Sequence, residues 1–318
     1  MNHTIAVVGA GISGLLLARS LQDAGASVVV LEKSRGYGGR MATKRVGEAV
    51  FDPGAQFFTA RDREFAALAA TWSDAGLIAN WPESSHRRTV GRLGMTAVPK
   101  ALAEGLEILR EHKVAAVTWH ACGCWELEIE DHGIVRAERL LLTCPVPQSL
   151  ALLKAGGVSL PPEATVLLEQ ITYHPCLALL VVLASASAVP AEGMTLTEGP
   201  VRWIADNVKK GLVQNVPAAV TIHATVDFSA RHYGKSEGEI AALLLPAVER
   251  WLGAQVVSAT LHRWKFSEPA TIHAERCVWL PELSLGFAGD AFGGPKIEGA
   301  ALSGLALADR VSAHLQRV

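Results

Sequence analysis

The sequence predicts an α/β protein: a parallel, Rossmann-type unit joined to a second unit in which an antiparallel sheet is backed by helices. Three observations carry this expectation. An apolar strand at Thr4–Val8 runs into a G-x-G-x-x-G turn and then a helical pattern. A glycine-rich strand–loop–helix element occupies Leu283–Leu315. Between them, from about residue 150 to 270, alternating or wholly apolar strand patterns dominate.

The opening strand has the continuous hydrophobicity of a strand buried on both faces. Gly9, Gly11 and Gly14 follow, suited in turn to a tight turn, to close backbone approach by a pyrophosphate, and to helix–strand packing. The helix expected over about Ser13–Ala24 aims the free N–H groups around Ile12 and Ser13 at the phosphates, and Gly25 stops it. A second strand, Ser27–Leu31, ends at Glu32, 18 residues after Gly14. A carboxylate there accepts hydrogen bonds from an adenosine ribose and disfavours a 2′-phosphate. To this point a nicotinamide and a flavin dinucleotide fit equally well.

The next residues separate the two. KSRGYGGRMATKR, Lys33–Arg45, places Gly36, Gly38, Gly39 and Arg40 where a nicotinamide dehydrogenase would return into helix. Such a loop can wrap a second face of a pyrophosphate, with Arg40 as a charge-assisted partner and Lys33 beside the acid. Near the far end, a short apolar strand runs into Gly289 and Asp290, and Glu298-Gly299-Ala300 opens a long helix. Asp290 can accept from ribitol hydroxyls. A helix start aimed at an anionic reduced flavin stabilises it by about 0.3–1 kcal/mol, up to ~2 when buried. A nicotinamide has neither ribitol nor that anion, so FAD is the expected cofactor.

GAGISGLLLARSL and VVVLEKSRGYGGRMAT together resemble the flavin-containing amine oxidase superfamily, whose second motif is an R-x-G-G-R element after the ribose acid. FDPGAQFFTARDREF, GRLGMTAVPKAL, VRWIADN, TIHAT and LHRW are similar, more narrowly, to its renalase-like branch. The resemblance implies an amine oxidase or p-hydroxybenzoate hydroxylase-like architecture. Its FAD-binding domain would be discontinuous, over 1–76, 95–150 and 271–318, with a substrate domain over 77–94 and 151–270. It implies non-covalent FAD, since the only late cysteine, Cys277, precedes the last strand. Ala55, Gln56 and Phe57 would meet the cofactor, and Val114 its adenine. The implied reaction is oxidation of 2- or 6-dihydro isomers of NAD(P)H to NAD(P)+, by hydride transfer to flavin N5, with O2 reduced to hydrogen peroxide. The superfamily's usual lysine near N5 has Lys296 as its nearest candidate.

In the middle region AVTIHATVDF, Ala219–Phe228, alternates, with Thr221, His223, Thr225 and Asp227 on one face. VRWIADN places Trp203 and Asn207 on one face if it is a strand, and LHRW brings His262 near Trp264. If the mixed face of this sheet roofs the flavin, Trp203 and Trp264 stack on a planar substrate while His223 and Asn207 hydrogen-bond it. Phe58, Thr59 and Arg61 follow the same logic near the ring edge, with Phe58 equally suited to the core. Only nine residues, PESSHRRTV, separate Trp81 from Gly91, fewer than in the bacterial renalases. His86, Arg87 and Arg88 within them read as a solvated basic turn before they read as a phosphate contact. Ser236 and Glu239 form a capping box for a helix to about Leu252.

The 318 residues are half apolar and carry a net charge of −2, so neither nucleic acid nor an anionic membrane is an expected partner. Five scattered cysteines fit a reduced, cytoplasmic compartment, with Cys122 and Cys124 at a turn between strands and no metal site. CLALLVVLASASAV, Cys176–Val189, is too short to span a bilayer and reads as a buried strand. The chain starts almost directly with a strand, so no signal peptide is expected. The expected partners are a small reduced substrate and O2. The alternatives are an amine oxidase, another flavin oxidoreductase, and a flavin-binding sensor without turnover. A nicotinamide dehydrogenase would leave the Asp290–Glu298 pattern unexplained.

Overall fold

The computed structural model describes residues 2–85, 87–212 and 215–315. His86 therefore lies outside the described residues. The larger sheet has eight strands. Its parallel core runs Leu285–Phe287, Gly133–Leu142, Asn2–Val8, Val28–Glu32 and Glu107–Arg110, side by side. Val278–Leu280 adds an antiparallel edge, and the hairpin Val114–His120 with Cys124–Ile129 extends Gly133–Leu142. The central strands are apolar throughout because both faces are covered. Ala6, Val8, Val29 and Leu31 enter one core with Leu140 and Leu142, whereas Ile5, Val7, Val28 and Val30 enter another beneath the helix Ile12–Asp23. Cys122 lies in the hairpin turn, 2.9 Å from Cys124 between sulfurs.

The second sheet is antiparallel, ordered Met194–Thr195, Val201–Asp206, Ala218–Ala224, Tyr173–Leu183 and Val256–Pro269. Val220 and Ile222 face the helix Glu237–Leu252, packing with Ile240, Leu244 and Val248. That helix starts at the expected capping box: Ser236 N donates to Glu239 Oε2 at 2.9 Å, and Glu239 N donates back to Ser236 Oγ. The opposite face meets the hairpin Lys44–Val46 and Ala49–Phe51, where Leu180 and Ala219 pack on Phe51.

Two expectations change here. The strand expected through Phe228 ends at Ala224; Thr225 caps a helix, Val226–His232, by accepting from Phe228 N. A threonine with an aspartate two residues on is a helix-start signal that the alternating pattern hid, and it removes Thr225 and Asp227 from the sheet face. The second change concerns the boundary at 150–151. Leu153, Leu168 and Ile171 pack into the core shared by the first sheet, so by packing the second unit starts near Tyr173.

Candidate functional site

The strand Asn2–Val8 delivers the chain to Gly9, and the helix Ile12–Asp23 begins at Gly11 with no side chain capping it and no acid in its first turn. Its N–H groups and positive end are free for an anion. A Cβ on Gly14 would lie 2.0 Å from Gly9 O, so that glycine is demanded by the protein itself. A Cβ on Gly11 would meet nothing within 4 Å. The space over Gly11 is open, and Ser13 Oγ beside it is buried without a partner. Residues 33–45 make no helix beyond a single 3-10 turn, Gly39–Met41. Instead Gly38 N donates to Ala10 O at 2.8 Å, and Gly38 bridges Gly11. The two glycine elements therefore form one wall. Glu32, buried at the strand end, accepts from Ala10 N at 2.9 Å and Ser34 N at 2.8 Å. Each oxygen keeps a lone pair for a ribose hydroxyl. His112 N donates to Glu32 O, which brings Val114 to the same strand end. Lys33 is exposed.

The C-terminal element closes this wall. Arg40 grips Asp290 with both terminal nitrogens, Nη1 to Oδ2 at 2.5 Å and Nη2 to Oδ1 at 2.7 Å, and Nη1 also donates to Ser267 O at 3.1 Å. Tyr173 Oη donates to Asp290 Oδ1 at 3.2 Å, and burial beside that carboxylate pushes the phenol pKa up. Asp290 thus holds the arginine that the sequence assigns to the pyrophosphate. The long helix starts at Lys296, not at Glu298; Glu298 Oε1 accepts from Arg61 N at 2.6 Å and Asp62 N at 2.8 Å. A Cβ on Gly304 would sit 2.3 Å from Ser13 O, so the last helix crosses the first in backbone contact. Ala300 joins Ile12, Leu16 and Met41 in one core. An open face at Gly11, an unpartnered Ser13 hydroxyl, a free helix start and an acid at Glu32 together fit a dinucleotide. The residues that would hold FAD are these, with Arg40 and Asp290 at the join.

The extended stretch Asp52–Phe58 lies between this wall and the second sheet. Ala55 N donates to Arg40 O at 2.9 Å on one side. On the other, His223 Nε2 and Trp264 Nε1 both reach Pro53 O, at 2.9 and 3.0 Å. Since a carbonyl only accepts, His223 carries its proton on Nε2. Asn207 is fully buried, donating to Ala219 O and Thr221 Oγ1 and accepting from Asp52 N. Asp52 also accepts from Thr43 Oγ1 and Met95 N, and pairs with Lys210, which is buried beneath the Trp81 ring. Phe57, Trp81 and Trp203 form a cluster of rings with centroids 5.8 to 6.3 Å apart.

Comparison with known proteins agrees with this geometry. Residues 7–72 match the NAD(P)-binding Rossmann-like domain, and residues 65–312 match the flavin-containing amine oxidoreductase family. The chain belongs to the flavin-containing amine oxidoreductases. Solved structures share the fold over nearly the whole length. A putative protoporphyrinogen oxidase from Exiguobacterium sp. 255-15 gives a TM-score of 0.77 at 15% identity, covering 98% of this chain and 99% of that one. Cyclohexylamine oxidase from Brevibacterium oxydans IH-35A gives 0.76 at 14% identity, covering 99% and 100%. Putrescine oxidase bound to putrescine gives 0.74 at 16%, covering 98% and 99%. Curated relatives match only a short segment. The 4-hydroxybenzoate brominase (decarboxylating) of Pseudoalteromonas luteoviolacea is 46% identical over 46 residues, 14% of this chain and 9% of that protein. A possible lysine-specific histone demethylase 1 of Drosophila melanogaster is 46% identical over 55 residues, 17% and 6%. The matched segments thus span less than a tenth of either relative.

This amine oxidoreductase is an FAD-dependent enzyme, so a sensor without turnover is set aside. Among the described residues no helix is long and apolar enough to cross a membrane. The structure redistributes several candidate side chains. Phe58 is core, edge-on to Phe65 and Trp72, while Phe57 turns to Trp81 and Trp203. Successive residues of an extended stretch point oppositely, and the sequence does not say which goes inward. Arg61 is exposed and contributes its backbone, Thr59 is half-buried, and Asn207 braces Asp52. Gln56 is buried and donates to Asp52 O and Gly54 O, leaving Oε1 unpartnered. Gly299 is fixed by Gly294 O, 1.9 Å from where its Cβ would be. Lys296 is exposed with φ +75°; the buried lysine is Lys210, which the sequence reading missed. It stands between Lys209 and Gly211, and nothing in that local pattern signals burial. Arg87 is exposed, as a solvated turn requires, but Arg88 is half-buried against the three rings.

His223 gives a pH signature. Burial, with Arg202 and Lys210 nearby, pulls its pKa from 6.5 to about 4. A depressed histidine pKa means that the unfolded chain binds the extra proton first, so stability falls as pH drops from about 6.5 toward 4. Unfolding in urea at pH 8 and pH 5 is expected to show a loss of about 2 kcal/mol from this group. His262, also pulled down to about 4 by burial, adds to the total. His223→Gln should remove its own share and leave that of His262.

Proposed function

We propose that this enzyme oxidises 2- or 6-dihydro isomers of NAD(P)H to NAD(P)+, with O2 as electron acceptor and hydrogen peroxide as product, and that it does so in the cytoplasm. The observation that carries the reading is the charge of the substrate side. The one carboxylate on the Asp52–Phe57 stretch, Asp52, is committed to Lys210, Thr43 and Met95 N. His223 is neutral near pH 7. Nothing there offers an ammonium group a free carboxylate among the described residues, whereas rings and neutral polar atoms suit an uncharged dihydropyridine. The renalase-like motifs identified in the sequence support the same substrate.

Bound flavin supplies the hydride acceptor. The protein's own residues then orient and enclose. Trp203 and Trp264 offer flat faces to a planar ring. His223 keeps its proton on Nε2 toward Pro53 O, which leaves Nδ1 as an acceptor without acid–base work. Phe57, Trp81 and Trp203 keep water away.

Anaerobic mixing of the purified holoenzyme with 2- and 6-dihydro-NAD(P), ordinary NADH and a panel of amines tests the proposal. Flavin bleaching by the isomers alone is expected. Bleaching by an amine and not by the isomers would transfer the protein to the amine-oxidising reading, and no bleaching by any dihydro isomer would end the proposal.

A further inference from the structure

A pair of short strands brings Trp81 and Arg88 side by side. Ile78–Asn80 pairs with Thr89–Gly91, and Trp81 N donates to Arg88 O at 2.8 Å. This return places the Arg88 guanidinium among three rings, its Cζ 4.7 Å from the centroid of Phe57, 5.3 Å from Trp203 and 5.9 Å from Trp81. Nη1 donates to the carbonyl of Glu192 at 2.5 Å. The Glu192 carboxylate instead accepts from Ser84 Oγ and from Ser85, and no carboxylate pairs with Arg88 among the described residues. Trp203, flanking the guanidinium, is 8% exposed and its Nε1–H has no partner.

These groups are all donors. The half-buried guanidinium has no carboxylate in direct contact among the described residues and feels Glu192 only through space, and the indole N–H has no acceptor, so an oxygen-rich anion would satisfy both. The rings pack around the guanidinium and the Glu192 carbonyl holds Nη1, which leaves Nη2 and Nε as the side of the fork that can take phosphate oxygens in a pair. The cluster is two residues from the cofactor wall, since Phe57 stands two positions after Ala55, whose N–H donates to Arg40 O.

We propose that Arg88 is a specificity-determining residue that takes the pyrophosphate of the substrate, so that the enzyme selects a dinucleotide over a phosphate-free dihydronicotinamide. This rests on the function proposed above. The short hairpin is then the device that carries the anion-reading group to the substrate side.

The oxidised holoenzyme and its Arg88→Met and Arg88→Lys variants are titrated calorimetrically with ADP-ribose, which bears the pyrophosphate and cannot be oxidised at a pyridine ring. Flavin content and thermal unfolding are recorded to establish that each variant is folded. Reduction by the dihydro isomer of NAD and of nicotinamide riboside is followed in parallel. Arg88→Met is expected to weaken ADP-ribose about tenfold or more. It should raise the half-saturating dinucleotide concentration by a similar factor, leaving the limiting rate and all riboside kinetics unchanged. Arg88→Lys keeps the charge without the fork and should recover only part of the loss. Equal ADP-ribose binding by parent and Arg88→Met, no binding by the parent, or an equal loss on the riboside would overturn the proposal. If no dihydro isomer reduces the parent flavin, the proposed reaction falls, and the ADP-ribose titration still decides the role of Arg88.

Discussion

Gly11→Val leaves the apoprotein as stable as the parent and weakens its hold on FAD, whereas Gly14→Ala damages the fold itself. The two glycines belong to one motif, but the structure gives them different reasons to exist. Gly11 has φ −76° and ψ 176°, a conformation open to any residue, and its Cβ would meet nothing within 4 Å. Only a group that the chain itself does not supply can require a glycine there. A valine fills the space above the helix start and opposes a bound pyrophosphate with about 1–3 kcal/mol of overpacking, so FAD affinity falls roughly ten- to a hundredfold. Apoprotein stability in urea should stay within about 0.5 kcal/mol. At Gly14 the added carbon would lie 2.0 Å from Gly9 O and 2.6 Å from Thr143 Oγ1. Backbone must shift, and the loss should be about 3 kcal/mol or more with or without FAD.

The second large effect lies at the junction of the two units. Lys210 and Asp52 have side chains only 0% and 1% exposed and are paired with each other. Burial pulls the Lys210 pKa down and Asp52 raises it again. The backbone of Asp52 is held in place as well: its N–H donates to Asn207 Oδ1, and its carbonyl accepts from Gln56 Nε2 and Thr221 Oγ1. Lys210→Met strands a carboxylate and Asp52→Asn strands an ammonium, each at about 3–5 kcal/mol. The double variant keeps the Thr43 and Met95 N contacts through the amide oxygen and leaves no charge. It should be more stable than either single variant, and a double-mutant cycle in urea reads this as a strongly favourable coupling.

The cofactor wall was legible in the sequence because glycines mark places where backbones or phosphates must come close. Gly9, Gly14 and Gly38 announce such contacts by residue type alone. The pairing of Arg40 with Asp290, 250 residues apart, was not legible, because an ion pair leaves no periodic trace. Each residue stands out in the sequence only through its own local motif. The face of the second sheet that meets Asp52–Phe58 was harder to read. Alternation placed Thr221 and His223 on the right face, but nothing local distinguished Phe57 from Phe58, or a buried Lys210 from a surface lysine. Those distinctions arise when the second sheet docks on Asp52–Phe58, and docking is written in shape rather than in spacing. Thr225 shows the reverse case: a local capping signal was present and was masked by a longer alternating run.

The central claim is that the N-terminal glycine wall and the C-terminal strand–helix element clasp one flavin. Amide hydrogen exchange of the apoprotein, with and without added FAD, tests it most directly. The account predicts that amides of Gly9–Gly14, Gly38–Met41 and Gly289–Ala300 slow together at one FAD per chain. Protection confined to the N-terminal segments, with Gly289–Ala300 unchanged at saturation, would contradict it.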